Sequence, residues 1–137
     1  MGIETAAKHV DTAPSGEGVV ILGGYAAKQC PVRTHNDFAP LVPAPTWEPP
    51  EELQADFDAG IAFEEVVFGE LVAIHPDAVL IDPESRKTVA IGQTIAAMRS
   101  GVPIILGGWL PDDTVGGRKG KPDILFRVGG GYLPADV

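Results

Sequence analysis

Apolar side chains return at helical spacing between residues 51 and 74. Leu53, Phe57, Ile61, Phe68 and Leu71 fall within about 40° of a common direction at about 100° per residue, which predicts an amphipathic helix. Pro49 and Pro50 precede it, Glu51 and Glu52 suit its positive end, and His75-Pro76 closes it. Val79-Leu80-Ile81 reads as a short strand. Asp82-Pro83 then has the chemistry of a cap and first position for a second helix, which runs to Arg99 and stops at Gly101. Beyond it the spacing predicts a three-stranded antiparallel β-meander. An apolar strand covers 102–110, and a Gly-rich charged loop covers 111–121. A strand over 123–128 has Ile124, Phe126 and Val128 on one face. Gly129-Gly130-Gly131 turns the chain back into 132–137.

Upstream the pattern is weaker. Residues 1–18 are polar and aperiodic and read as a flexible leader. Val19-Val20-Ile21-Leu22 is a short strand or the start of a packed segment. Residues 25–36 hold a short helix that Pro31 interrupts or starts afresh. The stretch 39–50 is a Pro-rich connection that must run extended, with Trp47 as an anchor. No internal repeat is present. The fold class expected is thus α/β (α+β), with 19–137 as one domain.

Composition narrows the function classes. At 137 residues, 45% hydrophobic and 21% charged, the chain has the makings of one soluble globular domain. No apolar run approaches the roughly 20 residues that cross a bilayer, and no basic start followed by an apolar stretch marks a secretory signal. The single cysteine, Cys30, excludes an internal disulfide and fits a cytoplasmic location. The net charge of −9 argues against a module that binds nucleic acid by clustered Lys and Arg. It argues less against an enzyme whose carboxylates hold a metal, because the metal supplies the positive charge.

Three carboxylates stand out. Glu64 falls near the middle of the apolar stripe, Glu65 toward its edge, and Glu70 well away. An unpaired carboxylate on a buried face costs several kcal/mol, so it needs a cation, a hydrogen-bond network or a raised pKa. The commoner fate of a lone Glu of this kind is to reach solvent at the stripe's end or to pair with an Arg. In the hairpin, a two-residue turn sets Val128 opposite Gly131 and Asp123 opposite Asp136, and a three-residue turn makes that pair diagonal. Two facing carboxylates repel unless something positive lies between them, and a hard divalent ion such as Mg²⁺ takes oxygen ligands. The plainer alternative makes Pro122-Asp123 a loop-to-strand junction and Asp136 an exposed strand end. His35 and His75 are isolated, and Trp109, beside Gly107-Gly108, reads as core rather than as a base-stacking platform.

Taken in order, Glu64 in a helix, Gly120-Lys121-Pro122-Asp123, and Asp136 in the next strand resemble the PD-(D/E)XK nuclease superfamily, and more closely its RecB-like branch. Tyr25-Ala-Ala-Lys-Gln-Cys30-Pro31-Val-Arg33 is similar to that branch's Tyr-x-x-x-x-Cys-Pro-x-Arg segment. Gly60-Ile-Ala-Phe63-Glu64 is similar to its Gly-x-x-His-Glu. The resemblance covers residues 19–137 and implies a restriction-endonuclease-like core. It implies that Asp123, Asp136 and Glu64 bind Mg²⁺ or Mn²⁺ and are catalytic, that DNA is the substrate, and that the basic group Arg118, Lys119 and Lys121 holds a phosphate. For that basic group the alternative is a solvated loop. Phe63 stands where many relatives have a metal-binding histidine. The iron–sulfur cluster of some relatives is excluded within this chain, since it needs three cysteines besides Cys30, which instead reads as a small buried residue.

The family's lysine belongs two residues after Asp136, beyond Val137, as do the last helix and strand of the core. The expectation is therefore an incomplete core: an N-terminal portion that is inactive or nearly so alone, with a C-terminal remainder or a helicase as partner. The rival classes are a non-catalytic nuclease-fold module kept for protein contacts, and another metal-dependent phosphohydrolase.

Overall fold

A computed structural model describes residues 20–24, 30–38 and 48–137. The expected leader 1–18, Val19, Tyr25 and the connection through Trp47 lie outside the described residues. The first helix, α1 (Pro31–Phe38), begins at the proline, whose missing N–H is one that a first helical turn leaves unbonded. The Cys30 carbonyl accepts the amide of Thr34 at 3.0 Å. Cys30 is exposed, not buried as expected, because it stands at the open start of a helix whose own residues are mostly exposed.

Helix α2 (Glu51–Ile74) has the bounds its flanking prolines predict. Gln54 donates to the Pro50 carbonyl at one end, and His75 donates to Leu71 at the other. Strand β1 (Val79–Leu80) follows. The second long helix, α3 (Lys87–Arg99), starts later than expected. Asp82 is not its cap: the carboxylate accepts the amide of Glu84 at 2.9 Å, which closes a local turn and spends its capping capacity there. The helix does stop as expected. Gly101 has φ +71, the left-handed conformation glycine adopts readily after a helix.

Three strands complete the sheet: β2 (Ile104–Leu106), β3 (Ile124–Val128) and β4 (Gly131–Ala135). The order is β1-β2-β3-β4. The expected meander is present as β2-β3-β4, but it is not the whole sheet. β1 pairs with β2 in parallel, through Val79 and Ile105 and through Leu80 and Leu106, so the sheet is four-stranded and mixed. A parallel partner needs a crossover, and α3 supplies it. The expected 102–110 strand is only Ile104–Leu106 because positive φ at Gly107 turns the chain out of the ladder.

Burial divides by strand face. Ile104, Leu106 and Ile124 pack with Phe68 of α2, and Leu71 and Phe126 lie against them. Ile105 and Leu125 pack with Ile81 and with Ala90 and Ala97 of α3. Alternate residues of β2 thus point to different helices, and the sheet lies between α2 and α3. This explains why Ile104-Ile105-Leu106 is an unbroken apolar run: both faces are covered. Thr94, fully buried in α3, is satisfied twice over. Its hydroxyl donates to the Ala90 carbonyl at 2.8 Å and accepts the Trp109 amide at 3.0 Å.

The apolar stripe of α2 is used only in part. Phe68 and Leu71 reach the sheet, whereas Phe57 and Ile61 are exposed, 49% and 59% respectively. The helix extends past the short sheet, so its first turns have no strand beneath them among the described residues.

Candidate carboxylate site

Glu64 lies one helical turn before Phe68, on the same face of α2. Phe68 sits over Gly107: a methyl group at that glycine would come 3.8 Å from the Phe68 ring. The amide of Gly107 in turn donates to the carbonyl of Asp123 at 2.7 Å. Phe68 and Gly107 thus link this face of α2 to the residue just before β3. Glu64 is half-buried, and its pKa is raised, first by desolvation and then by the negative charge of Asp123. Lys121 opposes the shift, and Glu65 adds to it. Glu64 thus follows neither of the two plainer fates: it is not fully solvent-exposed, and it takes no Arg partner among the described residues, while the charge of Asp123 acts on it.

The sign of the pH effect follows. A carboxyl whose pKa is higher in the folded chain binds more protons there than in the unfolded chain. Stability from this group is greatest below the ordinary glutamate pKa and falls as pH rises through the raised one. Above that window the ionised group opposes folding.

The hairpin has the register of a two-residue turn. Val128 pairs with Gly131 and Ile124 with Ala135. Gly129 has φ +58 and Gly130 does not have positive φ, the pattern of a II′ turn. Extending the register by one residue sets Asp123 opposite Asp136, just past the last paired residues. The two differ in surroundings. Asp123 is half-buried and accepts the Val137 amide at 3.0 Å, whereas Asp136 is exposed. Phe63, beside Glu64, is 60% exposed and cannot ligate.

The loop between β2 and β3 sorts the three cations. It doubles back on itself, with Asp113 and Arg118 exchanging backbone hydrogen bonds. Arg118 is tied up there, its guanidinium 2.7 Å from the Asp113 carboxylate. Asp113 is held below the usual carboxylate range by the Gly116 amide and then by Arg118. Lys119 is bonded through its backbone to Leu22, which runs alongside as an isolated bridge, and its side chain lies near Gly23. Only Lys121 is near enough to Glu64 to act on its ionisation.

The donor set is all oxygen and negatively charged, which suits a hard divalent cation. Glu64 lies near enough to Asp123 for that charge to act on its ionisation, and Asp136 is in register with Asp123. Even so, no three His, Cys, Asp or Glu side chains among the described residues converge into a metal-holding group. No described helix is long and apolar enough to cross a membrane.

The described chain is therefore a mixed α and β domain with an acidic pair where a helix meets the start of a strand. Compared with protein-family models, curated proteins and solved structures, it gives no match.

Proposed function

We propose that this chain carries the acidic residues of a metal-dependent nuclease of the RecB-like kind, hydrolysing DNA phosphodiester bonds. The observation behind this reading is the electrostatic coupling of a half-buried Glu64 to Asp123, residues 59 apart in sequence, with Asp136 in register opposite Asp123. A glutamate kept partly desolvated against a second carboxylate is unfavourable for the protein alone and becomes favourable once a cation sits between them. Mg²⁺ or Mn²⁺ there would polarise a phosphate oxygen and lower the pKa of a bound water. Glu64, Asp123 and Asp136 would hold the ion, and Lys121 would bind the phosphate. Arg118 and Lys119 are weaker candidates for that role, given their other attachments.

A second reading, a non-catalytic module for protein contacts, is favoured by the exposed apolar residues Phe57, Ile61, Phe63 and Val66 of α2. The experiment is DNA hydrolysis with Mg²⁺, run on this chain and on a form extended along its reading frame, each with and without Asp123→Ala. Metal-dependent cleavage by either form that disappears in the variant is expected. Robust cleavage that survives Asp123→Ala, or none by either form, would overturn the nuclease reading.

A further inference from the structure

Lys121 belongs to a second constellation that the chain order does not reveal. The Leu110 amide donates to the Gly120 carbonyl at 3.1 Å where the 107–123 loop doubles back, and this sets Trp109 beside Lys121. The Lys121 ammonium lies 5.4 Å from the centre of the Trp109 ring. Lys87, the first residue of α3, places its own ammonium 5.7 Å from the same ring centre. Trp109 is itself fixed: it packs against the core cluster under α3, and Thr94 holds its backbone amide.

Two ammonium groups on one indole repel each other. Lys87 is neutralised in part by Asp112, 3.0 Å away, in a half-buried ion pair. Lys121 has no carboxylate within ion-pair distance among the described residues. An opening helix turn is already positive, so Lys87 gains nothing from α3 and is held by Asp112 and the ring. An aromatic face differs from a carboxylate in one respect that matters here. It holds a cation in place without cancelling its charge. Lys87, Lys121 and Asp112 thus carry two positive charges against one negative, in a chain of net charge −9, and the carboxylates Glu64 and Asp123 lie on the Lys121 side of this group.

We propose that Lys87 and Lys121, both held on Trp109, form a phosphate-binding shelf that grips the backbone of a nucleic-acid strand beside Glu64 and Asp123. Lys87 and Lys121 are the binding residues, and Trp109 is a positioning residue that fixes both. The choice of a strand rather than free phosphate rests on the nuclease reading.

The test is binding of a labelled single-stranded oligodeoxynucleotide to the full chain in EDTA, followed by fluorescence anisotropy across a range of salt. Without metal, cleavage does not intervene and the shelf is measured by itself. Lys87→Gln and Lys121→Gln are each expected to weaken binding severalfold and to reduce the salt slope by about 0.7, the value for one lost single-strand phosphate contact. Trp109→Leu should behave like the lysine variants and Trp109→Phe should recover most of the affinity. Arg99→Gln, exposed at the opposite end of α3 from Lys87, should change neither quantity. Circular dichroism confirms that each variant is folded.

An unchanged slope in the Lys87→Gln, Lys121→Gln double variant overturns the shelf. So does a parent that does not bind the strand, or one from which inorganic phosphate displaces it completely at equal phosphate concentration. The two proposals fail separately. Lysine-dependent strand binding without metal-dependent cleavage would leave the shelf standing and remove the nuclease. Asp123-dependent cleavage with an unchanged salt slope would do the reverse.

Discussion

Saturating Mn²⁺ is expected to raise the thermal unfolding midpoint of this chain, and Asp123→Ala is expected to cancel that rise. An ion that binds only the folded chain stabilises it by about 2.7 kcal/mol at one hundred times its dissociation constant. For a domain of this size that corresponds to a rise of roughly 10 °C. Asp123 is the residue to remove because its charge acts on Glu64 and it is the one Asp136 faces in register. In the metal-free chain the same substitution should do little. It removes one hydrogen bond, to the Val137 amide, of about 1 kcal/mol, and it also relieves the repulsion on Glu64. Differential scanning fluorimetry with and without Mn²⁺ checks both halves. An equal rise in parent and variant would mean that the ion binds elsewhere.

The second large effect is structural. Leu106→Ala should destabilise the fold by about 2–5 kcal/mol in urea unfolding, the usual range for emptying a fully enclosed leucine site. Leu106 is completely buried, and it packs with Phe68 of α2 against Ile104 and Ile124. Its carbonyl also accepts the Ile81 amide at 2.9 Å, and Gly107, which Phe68 covers, is the next residue. The cavity therefore opens against Phe68, one helical turn from Glu64 on α2. Val128→Ala is the control at the far end of β3: Val128 is 55% exposed, and the change should stay within about 0.5 kcal/mol. Equal losses in the two variants would contradict the placement of the core.

Features that depend on near neighbours were legible in the sequence. Two prolines before Glu51 and one after His75 bound α2, and three glycines set the hairpin register that aligns Asp123 with Asp136. The position of Glu64 on the α2 stripe followed from helical geometry, and its half-buried state agrees. Features that depend on distant partners were hidden. Nothing local to Val79-Leu80 says that it adds a parallel strand to β2, because that pairing exists only once α3 has crossed over. Asp82-Pro83 has the chemistry of a helix start, yet the carboxylate closes a turn and α3 begins at Lys87. Phe57 and Ile61 share the stripe of Phe68, but the sheet is too short to reach them.

The residues of the proposed sites show the same division. Arg118, Lys119 and Lys121 form one basic group in sequence, and the doubled-back loop gives each a different neighbour: Asp113, Leu22 and Trp109. Lys87, a residue of the proposed shelf, is not legible as one in the sequence. Its only signal, a lysine at the start of a helix, is informative only when Asp112 and Trp109 are seen beside it.

The most direct test of the carboxylate site is the titration of Glu64 itself, followed by carbon-detected NMR of its side-chain carboxyl with and without Mg²⁺. In the metal-free chain the pKa should lie above the ordinary glutamate value and should fall in Asp123→Asn, because part of the shift comes from that charge. Saturating Mg²⁺ should lower it below the metal-free value in the parent, since a cation at the pair favours the ionised form. A raised pKa that Mg²⁺ leaves unchanged would contradict the metal site and leave Glu64 as a carboxylate merely buried against its neighbour.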